Sequence, residues 1–118
     1  MDFKTILVAE DTDSNFALVS ILLRKEYNII RARNGKEAVQ LHSDVHPDMI
    51  LMDIQMPILN GLEATRTIRL IDSNIPIVAL TAFAFDVDKE NFMNAGGSGF
   101  MSKPIDSKEL KALIKQFI

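Results

Sequence analysis

Four short apolar runs, each followed by a polar residue, constrain this chain more than any other feature. They are Ile6-Leu7-Val8-Ala9, Met49-Ile50-Leu51-Met52, Ile77-Val78-Ala79-Leu80 and, more weakly, Gly99-Phe100-Met101. A fifth segment, Asn28-Ile29-Ile30-Arg31-Ala32, mixes apolar and polar residues as a less buried strand does. Periodicity alone does not separate a buried strand from a helical fragment, but the shortness of the runs and their β-branched residues favour strands. Segments of helical spacing lie between them. Phe16, Val19 and Leu23 share one face of a segment that Asp13 or Ser14 can cap. Residues 35–44 and 61–71 are shorter segments with Gly35 and Gly61 near their starts. Asp106, followed three residues later by Glu109, reads as a capping box, and Leu110, Leu113, Ile114 and Phe117 form an i, i+3, i+4, i+7 stripe behind it. Residues 84–94 have few apolar anchors beyond Phe92 and Met93, which predicts the weakest and most mobile helix.

Strand and helix therefore alternate five times. Continuous apolar strands separated by amphipathic helices imply a parallel sheet covered on both faces. Right-handed crossovers then bring every strand C-terminus to one edge. With 118 residues and no internal repeat, linker or low-complexity tract, the expectation is one doubly wound α/β domain over residues 1–118.

Composition narrows the chemistry. There is no cysteine, which excludes a disulfide framework, a thiolate nucleophile and a zinc–cysteine site. A formal net charge of −3 argues against direct binding of nucleic acid, which calls for a basic stripe. No apolar run approaches the ~18 residues of a membrane span. Met1-Asp2-Phe3-Lys4-Thr5 lacks the basic start and apolar stretch of a signal peptide, so the expected location is cytoplasmic, away from the membrane.

The polar residues after the strands come in a telling order. Glu10 and Asp11 follow the first, Asp53 the third, Thr81 the fourth and Lys103 the fifth. Ligands of open α/β sheets bind outside the carboxyl ends of the strands, where these residues converge. Each alone does no more than start a turn; together they form a site. Two carboxylates ~5 Å apart at an effective dielectric of ~20 repel by roughly 3 kcal/mol. Lys103 offsets part of that, and a divalent cation would bring the local sum to zero. Oxygen donors without His or Cys select magnesium, manganese or calcium over zinc, and a small site suits magnesium.

The set Glu10-Asp11, Asp53 within Met52-Asp53-Ile54-Gln55-Met56-Pro57, Gly61, Thr81-Ala82 and Lys103-Pro104 resembles the receiver domain of two-component response regulators. The resemblance covers essentially the whole chain, and Met52 to Gly61 with Leu62-Glu63-Ala64-Thr65 is similar to receivers of hybrid histidine kinases. It implies a flavodoxin-like fold: five parallel strands in the order 2-1-3-4-5 and five helices. It makes Asp53 the phosphoacceptor, taking a phosphoryl group from a phosphohistidine of a histidine kinase or a histidine phosphotransfer domain. Mg2+ would be held by Asp11 and Asp53, with Glu10 acting through water and the backbone carbonyl of Gln55 completing the set. Glu10 departs from the commoner Asp, and its longer side chain still reaches a metal-bound water.

By the same resemblance Lys103 and Thr81 bind phosphoryl oxygens, small Ala82 leaves the group accessible, and Thr81 with Phe100 forms a switch pair. Phenylalanine in place of the frequent tyrosine removes any hydrogen bond at the ring tip. The partner surface, for a downstream effector or a homodimer, is the face of the fourth helix, fifth strand and fifth helix. The Lys103-Pro104 bond is expected cis. Gln55 and Phe83 modulate access of water to the aspartyl phosphate, and bulky Phe83 predicts slow hydrolysis. The domain assists its own phosphorylation and dephosphorylation without being an enzyme in the ordinary sense. The sequence stops soon after the fifth helix, so no output domain is expected; a stand-alone regulator and the receiver of a hybrid kinase both fit.

Three other readings compete. Asp11-Thr12-Asp13 after a strand mimics the nucleophile and acid of a haloacid-dehalogenase-like phosphatase, but the chain has little room for that family's other acidic motifs and cap. A flavodoxin-like flavin carrier would place a phosphate where Glu10, Asp11 and Asp13 repel it. A receiver-like domain without phosphorylation is disfavoured by the intact acceptor, lysine and threonine. His42 and His46 are expected at the surface, Arg66 and Arg69 on a solvated helix face, and Met49 and Met52 in the core. Gly96-Gly97-Ser98-Gly99 precedes a strand and reads as a turn rather than an anion cradle.

Overall fold

The alternation of apolar side chains along the strands divides the interior into two layers. The computed structural model describes residues 3–82 and 86–118. In chain order the elements are β1 (Thr5–Ala9), α1 (Asp13–Leu23), β2 (Asn28–Ala32), α2 (Gly35–Val45), β3 (Met49–Asp53), α3 (Gly61–Arg69), β4 (Ile77–Thr81), α4 (Asp86–Asn94), β5 (Gly99–Ser102) and α5 (Ser107–Phe117). The strands pair in parallel in the order β2-β1-β3-β4-β5, as expected. Leu7, Ala9, Ile50, Met52, Ile77 and Ala79 face one layer, where Ala38 of α2, Ala64 and Ile68 of α3 and Phe92 of α4 cover them. Ile6, Val8, Met49, Leu51, Val78 and Leu80 face the other, under Val19 and Leu23 of α1 and Leu110 and Ile114 of α5. Side chains of β1, β3 and β4 are buried on both faces, which is why these strands read as unbroken apolar runs. No helix among the described residues is long and apolar enough to cross a membrane.

Helix starts depart from the expectations in a consistent way. α1 begins at Asp13 with Thr12 at its N-cap and no side-chain cap hydrogen bond, so neither Asp13 nor Ser14 caps it. The Asp13 carboxylate turns to Arg31 (2.8 Å) and Arg33 (3.4 Å) instead, because two guanidiniums on and after β2 attract it more strongly than one backbone amide. α2 and α3 are capped by the residues before their glycines. Asn34 and Asn60 accept from the amides of Glu37 (2.8 Å) and Glu63 (2.9 Å). The half of the Asp106 box made by its Oδ1 forms as expected, accepting from the Glu109 amide at 3.0 Å. α3 ends at Arg69, short of residue 71, where the chain tightens so that the amides of Ile71 and Asp72 both bond the Ile68 carbonyl.

Two surface expectations are overturned. His42 is buried, 4% exposed, with Nε2 2.9 Å from Asp72 Oδ2, which gives that ring nitrogen a partner. His46 is exposed as expected and ends α2 in a left-handed conformation. Arg66 is exposed, but Arg69 is half-buried and donates to the carbonyls of Gly96 (2.7 Å) and Asp72 (3.1 Å) and to Ser98 Oγ (3.2 Å). Its guanidinium thus ties the end of α3 to the turn before β5. Gly96 to Gly99 form that turn, as expected, and enter β5. The expectation for Phe83 and the start of the 84–94 segment lie outside the described residues. The rest of that segment forms α4, where Phe92 is fully buried and Met93 is exposed.

Candidate functional site

The carboxyl edge of the sheet gathers the polar residues that follow the strands. Immediately after β1, the Glu10 amide bonds the Ala32 carbonyl at 2.9 Å, which extends the β1–β2 ladder by one residue before the chain turns through exposed Asp11 into α1. β3 ends on Asp53, and β4 on Thr81. Beyond β5 the Lys103 amide donates to the Thr81 carbonyl at 2.8 Å, and the Lys103-Pro104 bond is cis, as expected. Glu10 is 4% and Asp53 7% exposed, so both carboxylates sit low in the edge with Asp11 above them.

One oxygen from each of Glu10, Asp11 and Asp53 falls within a set spanning no more than 4.8 Å. The Lys103 ammonium lies 2.9 Å from Glu10 Oε1 and 3.4 Å from Asp53 Oδ2. Burial opposes the lysine's charge, but the hydrogen bond to Glu10 and the fields of Asp53 and Glu10 outweigh it and hold the ammonium above its ordinary pKa. The other Glu10 oxygen accepts from the Thr12 amide at 3.3 Å, and Asp53 Oδ1 accepts from the Gln55 amide at 3.0 Å. Three carboxylates and one ammonium leave a formal −2, the charge a divalent cation balances. Every side-chain donor in the cluster is a carboxylate oxygen, so the set fits a hard cation such as magnesium.

Close packing beneath the site holds Asp53 in place. A Cβ on Gly61 would lie 2.2 Å from the Asp53 carbonyl oxygen, so only glycine lets α3 start this close to the end of β3. A groove of about 500 Å³ opens beside Asp11, between Gln55, Met56, Pro57 and Asn60. A second, of about 400 Å³, runs along Asn15, Leu18 and Ile105 to Lys103.

Thr81 is buried at the edge and Ala82 is exposed beside it. Phe100 is half-buried against the α2–α3–α4 layer, with the Lys89 ammonium 5.1 Å from its ring centroid.

Arg31 escaped the sequence reading. Its side chain is only 14% exposed, its Nε donates to the Glu10 carbonyl at 3.1 Å, and its guanidinium lies 4.8 Å from the Phe16 ring centroid. The hydrogen bond and charge of Arg31 hold the exposed Asp13 carboxyl below its ordinary pKa, with a smaller contribution from Arg33. The available signal was positional. Arg31 pairs in register with Val8, so it points into the layer under α1 and α5 rather than to solvent.

Residues 6–115 match the family model of the response regulator receiver domain. The chain belongs to this family. It is 44% identical over 119 residues to hybrid signal transduction histidine kinase I of Dictyostelium discoideum, an alignment covering 92% of this chain and 7% of the kinase. It is 38% identical over 118 residues to the polar-differentiation response regulator DivK of Brucella anthropi, covering 98% of this chain and 96% of the regulator. Its fold superposes on the receiver domain of the sensor histidine kinase PA1611 of Pseudomonas aeruginosa PAO1 with a TM-score of 0.92, at 34% identity over 98% of each chain. That structure has a magnesium ion coordinated in its active site cleft. The receiver is thus a signalling domain of two-component phosphorelays, a class that exchanges phosphoryl groups with histidine kinases or phosphotransfer proteins and acts on effectors.

Proposed function

We propose that Asp53 of this receiver accepts a phosphoryl group from the phosphohistidine of a histidine kinase or histidine phosphotransfer domain in the cytoplasm. The observation that carries this reading is the Lys103 ammonium shared between Glu10 and Asp53 at the carboxyl edge. Asp53 is a buried carboxylate with an ammonium 3.4 Å from it. A carboxylate is a weak nucleophile, but phosphoryl transfer depends mainly on positioning and neutralisation of charge. An Asp53 oxygen forms the new O–P bond as the P–N bond of the donor breaks, and the electron pair of that bond stays on the imidazole nitrogen. Lys103 turns from Glu10 to a phosphoryl oxygen, Thr81 donates its hydroxyl to another, and Ala82 leaves the approach open. Glu10, Asp11, Asp53 and the backbone carbonyl of Gln55 would hold Mg2+, which supplies further neutralisation of the phosphoryl oxygens when bound.

Movement of Thr81 toward the phosphoryl group opens space for the Phe100 ring, and the face of α4, β5 and α5 changes shape for an effector or a second copy of the chain. Water attack on the aspartyl phosphate, with Gln55 and Phe83 setting its access, returns the domain to its resting state. Residues 1–118 act as one phosphoacceptor domain in either setting, alone as in the DivK regulators or within a hybrid kinase.

Intact mass after incubation with Mg2+ and acetyl phosphate tests the reading. One base-labile phosphoryl group, absent from Asp53→Asn, is expected. A phosphoryl group that survives Asp53→Asn and disappears in Asp11→Asn would replace this reading with the phosphatase-like one.

A further inference from the structure

We propose that Arg31 is a positioning residue for the acidic pair Glu10-Asp11, holding the β1–α1 loop in the geometry that binds the divalent cation. The inference rests on the proposed metal site and adds a residue to it. Glu10 lies one position beyond Ala9, the last paired residue of β1. Its peptide is nevertheless gripped on both sides from the neighbouring strand. The amide donates to the Ala32 carbonyl at 2.9 Å, and the carbonyl accepts from Arg31 Nε at 3.1 Å. The guanidinium therefore supplies a hydrogen bond where the ladder stops, at the residue where the chain becomes a ligand-bearing loop.

The same guanidinium reaches forward past Asp11. Its Nη1 lies 2.8 Å from Asp13 Oδ1 in the first turn of α1, and the guanidinium lies 4.8 Å from the Phe16 ring centroid one turn further on. Asp11 thus sits between two points, Glu10 and Asp13, that one rigid planar group fixes at once. Arginine suits this task better than lysine, because its donors form a fixed fork and its face stacks on an aromatic ring. A strand residue with 14% of its side chain exposed also holds that fork with little freedom to swing. The pairing removes Asp13 from the metal cluster, so its charge is spent on Arg31 and Arg33 rather than on the cation.

The test is Mg2+ affinity of the full chain, read from backbone amide shifts during titration with Mg2+ alone. The decisive variant is the charge-neutral Arg31→Met/Asp13→Asn pair, which keeps the net charge of the loop and the apolar stem beside Phe16. Weakening of about tenfold is expected, the lower end of what loss of an outer contact costs a metal site. Asp13→Asn alone, which releases one of the two anchors and leaves the Glu10 carbonyl bonded, should weaken affinity less than the double variant. Acetyl phosphate labelling at saturating Mg2+ should return to near the parental rate, since binding rather than the transfer step is impaired.

Equal affinity of the double variant and the parent overturns the proposal. Should the double variant prove unfolded by circular dichroism, Arg31→Lys replaces it. An intermediate loss of affinity is then expected, and parental affinity overturns the proposal. Failure of the parent itself to bind Mg2+ would strike at the metal site as a whole and is distinguished by the parent titration.

Discussion

Lys103 and Glu10 meet at 2.9 Å across 93 positions of sequence, and the same ammonium reaches Asp53 at 3.4 Å. One cation from the last strand edge thus compensates carboxylates from the first and third. That arrangement is stable at rest, yet it leaves Lys103 a short movement from any anion bound on Asp53. Replacing it with Met should lower the rate of labelling by acetyl phosphate by about 100-fold, the usual loss for one charge-stabilising donor. The same variant should bind Mg2+ more tightly, because three carboxylates then face the cation without a competing ammonium. Stopped-time intact mass and a Mg2+ titration measure both; unchanged labelling would remove Lys103 from the transfer step.

Gly61 sets how close α3 approaches Asp53. Its hypothetical Cβ meets the Asp53 carbonyl oxygen at 2.2 Å and the Asp53 carbonyl carbon at 3.0 Å, backbone atoms that do not yield cheaply. Gly61→Ala should destabilise the domain by about 1–3 kcal/mol, the usual cost of overpacking. It should also slow phosphorylation at temperatures where the variant is fully folded. Urea unfolding with parallel labelling checks this, and wild-type values in both would contradict the close-packing argument.

Asp72 predicts an acid dependence of stability. The hydrogen bond from His42, aided by the amides of Asn74 and Ile75 against the opposing effect of burial, pulls its pKa down to about 2. A carboxyl depressed in the folded state stabilises it above the unfolded pKa near 3.8, and that contribution is lost as pH falls toward about 2. With the side chain 30% exposed, the contribution at neutral pH is on the order of 1 kcal/mol after solvent screening. The stability gap between the parent and Asp72→Asn should therefore close between pH 4 and 2, measured by urea unfolding. A gap that widens there would reverse the sign of the argument.

Thr81→Ala separates acceptance from response. Asp53 and Lys103 remain in place, so the variant should still take up one phosphoryl group. Without the hydroxyl, phosphorylation should no longer shift the Phe100 ring resonances, which Phe100→Leu assigns. Parental ring shifts in Thr81→Ala would uncouple this pair.

Much of the architecture was legible because burial on both faces gives β1, β3 and β4 each an unbroken run of four apolar residues. The approximate site was legible for a related reason. Glu10 and Asp11 follow β1, Asp53 and Thr81 close β3 and β4, and Lys103 follows β5, and parallel pairing brings strand ends together whatever the intervening helices do. Polar groups whose surroundings depend on distant partners were not legible. His42 reads as an exposed helix residue until Asp72, 30 positions on, is known to lie against it, and Arg69 needs Gly96, 27 positions away. Asn34 and Asn60 were hidden behind the more conspicuous glycines that follow them. Arg31 was hidden because a lone cation in a mixed strand is ordinarily solvated, and only its register with Val8 turns it inward.

The phosphoryl group is expected to reside on Asp53. Borohydride reduction of the acetyl phosphate-treated domain converts an aspartyl phosphate to homoserine, and tandem mass spectrometry of the peptides locates it. Homoserine at position 53, dependent on Mg2+ and absent from Asp53→Asn, is the predicted result. Homoserine at position 11, or none at any position despite a range of small phosphodonors, would contradict it.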